Sequence, residues 1–177
     1  MKKIYVVSIV ISLALGGCKS EPSLQKYFVE NTENKDFIAL DISPTILNVD
    51  KATLSADQKT ALESFEKMNV LAYKRNDKNQ VEFEIERAKV NLILKDEKYQ
   101  QLMKVSSGKE GASVSYIGAD EHIEEFVFYA HKNENGFAVV RVLGKDMNPT
   151  NIVTMLQLLK KSNIDLEQLK PLQQLLK

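Results

Sequence analysis

Apolar residues recur along the chain at two spacings, one typical of helices and one typical of strands. Spacings of three and four residues predict helices over residues 23–32, 55–68, 97–104, 148–161 and 165–177. Alternating or short continuous apolar runs predict strands over residues 37–42, 70–73, 112–117, 123–131 and 137–143. Turn residues separate the last three strands, so they should form an antiparallel meander.

The segment from Val81 to Leu94 fits both patterns. Val81, Phe83 and Ile85 alternate with glutamates, as in a strand, whereas Val81, Ile85, Ala88 and Leu92 fit one face of a helix. The segment is long and rich in Glu, Arg, Ala and Lys, which favours a helix from Glu84 onward.

The order of these elements predicts an α+β fold. We expect a single domain with a mixed five-stranded sheet, in which parallel crossovers come first and the antiparallel meander follows. Helices should cover the sheet. No change in composition or repeat indicates a domain boundary within residues 23–177.

The N-terminus has a different pattern. Lys2 and Lys3 precede an apolar run over residues 4–15, which is too short to span a membrane but has the length of a signal-peptide core. The run ends in Leu15-Gly16-Gly17-Cys18, and Cys18 is the only cysteine of the chain.

This ending resembles the bacterial lipoprotein lipobox. The resemblance implies a diacylglycerol thioether on Cys18, cleavage between Gly17 and Cys18, and acylation of the freed amine. Residues 1–17 would then be a signal peptide, and residues 18–22 a short tether to the domain. The alternatives are an ordinary signal peptide with an incidental cysteine, or an N-terminal membrane anchor.

Several short apolar motifs point to a known family. They are Phe65-Glu66-Lys67-Met68, Val70-Leu71-Ala72-Tyr73, the segment from Tyr99 to Val105, and the segment from Gly136 to Asn148. With the lipobox and the order of elements, they resemble the DUF4252 family of bacterial envelope proteins, which is common in Bacteroidetes. The resemblance covers residues 24–159. The family has no assigned activity, so no site residue follows from it.

Charge and motif content narrow the function classes. The chain has 24 basic and 24 acidic residues, which argues against nucleic-acid binding because phosphates require a basic face. Hydrolase, zinc-peptidase, Walker and dinucleotide-binding motifs are absent from the sequence. We therefore expect no enzyme activity, no catalytic residues, no cofactor and no metal site.

Four features of the domain remain as candidates for a site or a contact surface. His122 and His131 are nine residues apart on one predicted strand, so they should face opposite sides and cannot share a metal. The acidic residues around His122 are interpreted as a solvated turn. A set of leucines near the C-terminus predicts a helix that covers the core, or one that docks on a partner or the bilayer. That set is Leu166, Leu169, Leu172, Leu175 and Leu176.

Arg141 is the one weak candidate for a ligand or structural site. It interrupts an otherwise apolar strand, so it should lie at a sheet edge, pair with an acid such as Glu125, or mark a ligand site.

Together these features predict a lipid-anchored protein of the bacterial cell envelope. Its expected place is the outer membrane, facing the periplasm, and its expected role is that of a non-enzymatic binding or interaction module. The expected partners are membrane lipid, through acylated Cys18, and an envelope protein of unknown identity. A membrane-anchored enzyme and an envelope-stress or sigma-factor regulatory component are the alternatives.

Overall fold

Six strands form one sheet in the computed structural model, which describes residues 21–47, 50–119 and 122–161. The strand order across the sheet is β1-β2-β6-β5-β4-β3, and every neighbouring pair is antiparallel. The strands are β1 (Phe37–Ile42), β2 (Phe65–Lys74), β3 (Gln100–Ser106), β4 (Glu110–Ala119), β5 (His122–Lys132) and β6 (Gly136–Met147).

Within the described ranges, four α-helices cover the two faces of this sheet. They are α1 (Leu24–Asn31), α2 (Ala56–Ser64), α3 (Gln80–Ile93) and α4 (Pro149–Lys161), and two short 3-10 helices lie between β1 and α2. Helix α2 begins with a capping box, because the side chains of Ser55 and Gln58 each accept a hydrogen bond from the other residue's backbone N–H. At the start of α4, Asn148 and Asn151 make the same reciprocal pair of bonds.

The prediction of a five-stranded mixed sheet with parallel crossovers is wrong. Four antiparallel steps separate β2 from β3, so these two strands do run in the same direction, and α3 connects them. They are not neighbours, however, because β6, β5 and β4 lie between them. Helix α3 therefore crosses the width of the sheet instead of joining adjacent parallel strands.

The sixth strand replaces the helix predicted over residues 97–104. Tyr99, Leu102 and Met103 have helical spacing, but Gln100–Ser106 pairs with β4 as an edge strand. The register shifts between Gln101 and Met103, which indicates a bulge there. This bulge interrupts the residue-by-residue alternation between the two faces of the sheet, which is how a strand is identified in a sequence. The apolar residues of the segment therefore have the spacing of a helix.

The helix predicted over residues 55–68 also ends earlier than expected. Phe65 has the extended backbone angles φ −91° and ψ 121°, and β2 begins there without a connecting loop. A register shift between Phe65 and Lys67 lets Phe65 remain buried at the start of the strand. Phe65 and Met68, which the sequence pattern assigned to the helix over residues 55–68, therefore belong to the strand that follows it.

Helix α3 buries a different face from the one that the sequence favoured. Phe83, Val90 and Ile93 point into the core. Three members of the helix face that the sequence pattern indicates are exposed, Val81 at 68%, Ile85 at 50% and Leu92 at 63%. Spacing alone permitted both faces, and the aromatic ring of Phe83, which is fully buried, occupies the inner one.

The core has two halves, one on each face of the sheet. Helices α1 and α3 pack on one face, against β-strand residues that include Leu71, Tyr73 and Val139. Helices α2 and α4 pack on the other face, against residues that include Phe126 and Val142. The described domain is thus a three-layer sandwich of helices, antiparallel sheet and helices.

The predicted C-terminal helix over residues 165–177 lies outside the described residues, as do residues 1–20 with Gly17 and Cys18. The C-terminal helix and the signal peptide with its lipidated cysteine therefore stay predictions.

Candidate functional site

Arg141 forms a buried ion pair with Glu125 on the sheet face below α1. Arg141 lies on β6 and Glu125 on the neighbouring strand β5. The guanidinium donates two parallel hydrogen bonds, from Nε to Oε1 at 2.7 Å and from Nη2 to Oε2 at 2.9 Å. Such two-pronged pairing matches the planar geometry of both groups and is stronger than a single charged contact.

Helix α1 closes the pair from above. The guanidinium carbon lies 5.4 Å from the ring centroid of Phe28, within the range of a cation–π contact. Beside it, the Tyr99 hydroxyl accepts a hydrogen bond of 3.3 Å from the backbone N–H of Leu24. Burial raises the pKa of Tyr99, and the Glu125 carboxylate adds to this while Arg141 opposes it.

The pair has the environment of a structural element rather than of an open ligand site. The side chains of Arg141 and Glu125 are only 8% and 9% exposed. Of the three placements that the sequence left open, the structure confirms pairing with Glu125. Arg141 is not at a sheet edge, because β2 and β5 flank β6 on both sides.

Glu125 and His122, the two members of the acidic region whose contacts the described residues show, have different partners. Glu125 is turned into the ion pair, whereas His122 contacts Asp146 on β6, with Nδ1 and Oδ1 2.8 Å apart. Asp120 and Glu121 lie outside the described residues. Within the described ranges, no group of three or more His, Cys, Asp or Glu side chains is arranged to hold a metal ion.

The expectation that His122 and His131 face opposite sides of β5 loses its basis in the structure. Opposite β4, the two-residue step from Ile123 to Glu125 faces a one-residue step, so β5 carries a bulge there that shifts its alternation by one residue. Odd spacing across this bulge no longer means opposite faces. The two histidines still cannot share a metal, because they lie at opposite ends of an eleven-residue strand. At about 3.3 Å per residue, that separation is roughly 30 Å.

A polar cleft between α3 and the β3–β4 hairpin was not anticipated from the sequence. Its volume is about 240 Å³, and no carboxylate lines it. Its lining comes from α3, the segment after it, and three strands, which sequence patterns do not bring together. The polar side chains are Asn91, Lys95, Gln101, Lys104, Ser106, Ser113, Tyr129 and His131.

Two polar atoms of residues that line this cleft make no hydrogen bond of normal distance and angle among the described residues. They are the Tyr129 hydroxyl oxygen and the Nδ1 atom of His131, and both are buried. Burial raises the pKa of Tyr129 to about 12, against smaller opposing effects from the Arg87 charge and the Asn91 side chain. Burial, followed by the nearby Arg87 charge, lowers the pKa of His131. Near pH 7 the cleft therefore holds a protonated tyrosine and a neutral histidine.

The lowered pKa of His131 predicts a loss of stability in mild acid. Below the ordinary pKa of 6.5, the unfolded chain takes up a proton at this residue more readily than the folded chain does. We expect the free energy of unfolding to fall from pH 7 to pH 5, and to fall less in His131→Gln. Urea unfolding at both pH values measures this fall. An equal fall in the free energy of unfolding in the wild type and in His131→Gln would contradict the prediction.

No helix within the described ranges is long and apolar enough to cross a membrane.

The fold defines the class of this chain as an α+β domain built on one antiparallel sheet. The family model described as "Domain of unknown function (DUF4252)" matches residues 27–171. The chain belongs to the DUF4252 family, as its short apolar motifs indicated. No curated protein and no solved structure matches the chain.

Proposed function

We propose that this protein is a lipid-anchored component of the bacterial cell envelope that acts as a non-enzymatic binding or interaction module. The observation that carries the proposal is the sequence Leu15-Gly16-Gly17-Cys18, directly after a charged and then apolar N-terminus. The only thiol of the chain stands at the position where the lipobox requires one.

The physical consequence of this modification is firm attachment. Each buried methylene contributes about 0.8 kcal/mol, and stable anchoring requires more than one acyl chain. A bacterial lipoprotein carries two or three chains on one cysteine. Removal of residues 1–17 takes Lys2 and Lys3 away and leaves a small acidic excess, so the acyl chains rather than basic residues hold the protein at the membrane. The proposed place is the outer membrane, facing the periplasm.

The polar cleft supports a binding role over a catalytic one. A tyrosine with a pKa of about 12 keeps its proton near neutral pH and can donate a hydrogen bond, but it is a poor acid–base catalyst there. The lining lysines, Lys95 and Lys104, add positive charge without a carboxylate in the lining. Such a surface suits a polar or anionic group on a partner.

Metabolic labelling with an alkyne fatty acid tests the anchoring. The wild-type chain should take up label and remain with the membrane fraction. Cys18→Ala should lose the label and accumulate as a precursor that retains residues 1–17. Equal label in the two proteins would contradict the proposal. Ser20→Ala, two residues further on, is the matched control and should be labelled like the wild type.

A further inference from the structure

Helix α3 has two apolar faces, and only the inner one is covered within the part of the chain that the structure describes. Phe83, Val90 and Ile93 pack in the core. On the outer side, Val81, Ile85 and Leu92 form a stripe with Ala88, at the four- and three-residue steps that place side chains on one line of a helix. We name these four residues the outer α3 stripe. A helix that is apolar on both sides normally has a partner on both.

The beginning of the domain lies beside one end of this stripe. Pro22 and Ser23 line a groove of about 280 Å³ together with Lys26 and Tyr27 of α1 and Lys89, Leu92 and Ile93 of α3. The hydroxyl of Tyr27 also donates a 2.7 Å hydrogen bond to Glu86, which fixes α1 against α3. The chain that comes from Cys18 therefore enters the domain next to Leu92.

The length of that chain limits how far the stripe can be from an anchored lipid. Four residues separate Cys18 from Ser23, and a fully extended chain covers about 3.3–3.6 Å per residue. The groove at Leu92 is therefore within roughly 20 Å of the acylated cysteine. Val29 of α1, which is 72% exposed, belongs to the same outer layer of helices.

We propose that the outer α3 stripe rests on the bilayer surface that holds the lipid anchor, and that it thereby orients the domain. This inference rests on the proposed lipidation of Cys18. The stripe has too few residues to hold a protein at a membrane alone. A short tether, however, keeps it at an effective concentration on the order of millimolar next to the lipid, where a weak apolar contact is populated.

The orientation has a consequence for the opposite side of the molecule. Helices α2 and α4 lie on the other face of the sheet, so they point away from the bilayer. Val153 of α4 is 54% exposed there and gives a reference position of similar chemistry.

A fluorescent probe on single introduced cysteines tests the contact in the full lipidated chain. Leu92→Cys and Ile85→Cys place the polarity-sensitive fluorophore NBD on the stripe, and Val153→Cys is the matched control. The thiol of Cys18 is consumed by the thioether, so the introduced cysteine is the only reactive one. The proteins are reconstituted in phosphatidylcholine vesicles with and without doxyl-labelled acyl chains.

The proposal predicts a blue-shifted emission at positions 85 and 92 and quenching by the doxyl lipid several-fold stronger than at position 153. Equal, weak quenching at all three positions would overturn it. A blue shift without quenching would also overturn it, because the stripe would then be covered by protein, either a second copy or another part of this chain.

Alkyne fatty acid label on the same samples separates the two proposals. If the chain carries the label but the probes at positions 85 and 92 are exposed to water, only the proposed contact between α3 and the bilayer is refuted. A chain without label removes the lipid anchor and, with it, the basis of this inference.

Discussion

Arg141→Ala is expected to lower the free energy of unfolding by about 3–5 kcal/mol, because it leaves the Glu125 carboxylate buried without its partner. The cost comes from the stranded charge, since the side chain of Glu125 is only 9% exposed. Arg141→Met keeps much of the aliphatic packing below Phe28 and should be nearly as destabilising. Urea unfolding of the purified proteins measures both losses.

Removing both charges together separates this explanation from simple loss of packing. Arg141→Met combined with Glu125→Leu leaves no unpaired charge and should recover most of the stability lost in Arg141→Met alone. Lys145→Ala, at an exposed position of the same strand, is the control and should change stability by less than about 0.5 kcal/mol. A double variant less stable than either single variant would contradict the pairing account.

Gly136→Ala is expected to cost about 3 kcal/mol or more. Gly136 begins β6 with φ +131°, a backbone angle that residues with a side chain rarely adopt. A Cβ there would overlap the carbonyl oxygen of Tyr73 on the adjacent strand β2. The new methyl group meets backbone, which cannot move aside without disturbing the pairing of β2 and β6.

Gly108 is a matched control for this prediction. It also has a positive φ, +81°, but a Cβ at this position would have no atom within 4 Å. Gly108→Ala should therefore cost only the backbone strain, about 1–2 kcal/mol. Thermal or urea unfolding compares the two. Equal losses would show that the contact with Tyr73 contributes nothing.

The sequence carried enough information for the elements whose pattern is regular. The strand Phe37–Ile42, the position at which α2 begins and the three-stranded meander agree with their predictions. The pairing of Arg141 was also accessible, because a charge in an apolar strand requires either an edge or a partner, and Glu125 is an acid on the neighbouring strand.

Irregular and long-range features were not accessible in the same way. The bulge between Gln101 and Met103 gives the apolar residues of β3 the spacing of a helix. Because a helix was predicted there, the predicted sheet has one strand too few. β3 lies at the far edge of the sheet because α3 connects it to β2 across the width of the sheet. No local sequence pattern specifies this path. The polar cleft could not be predicted for the same reason. Lys104 lines one cleft with Tyr129 and His131 only when β3 is paired with β4.

The outer α3 stripe shows how a correct pattern can receive the wrong interpretation. Val81, Ile85, Ala88 and Leu92 do form one face of a helix, as the spacing predicts. Apolar character by itself predicts burial in the domain core. The second apolar set, led by Phe83, has the greater buried volume and takes that place.

The intact mass of the mature protein, purified from its native envelope, tests the central claim most directly. The account predicts a chain that begins at Cys18 and is heavier than residues 18–177 by a diacylglycerol group, with or without a further acyl chain on its amine. After alkaline hydrolysis of the ester-linked chains, the mass should fall accordingly. A chain that retains Met1, or one that carries a free thiol at Cys18, would contradict the account.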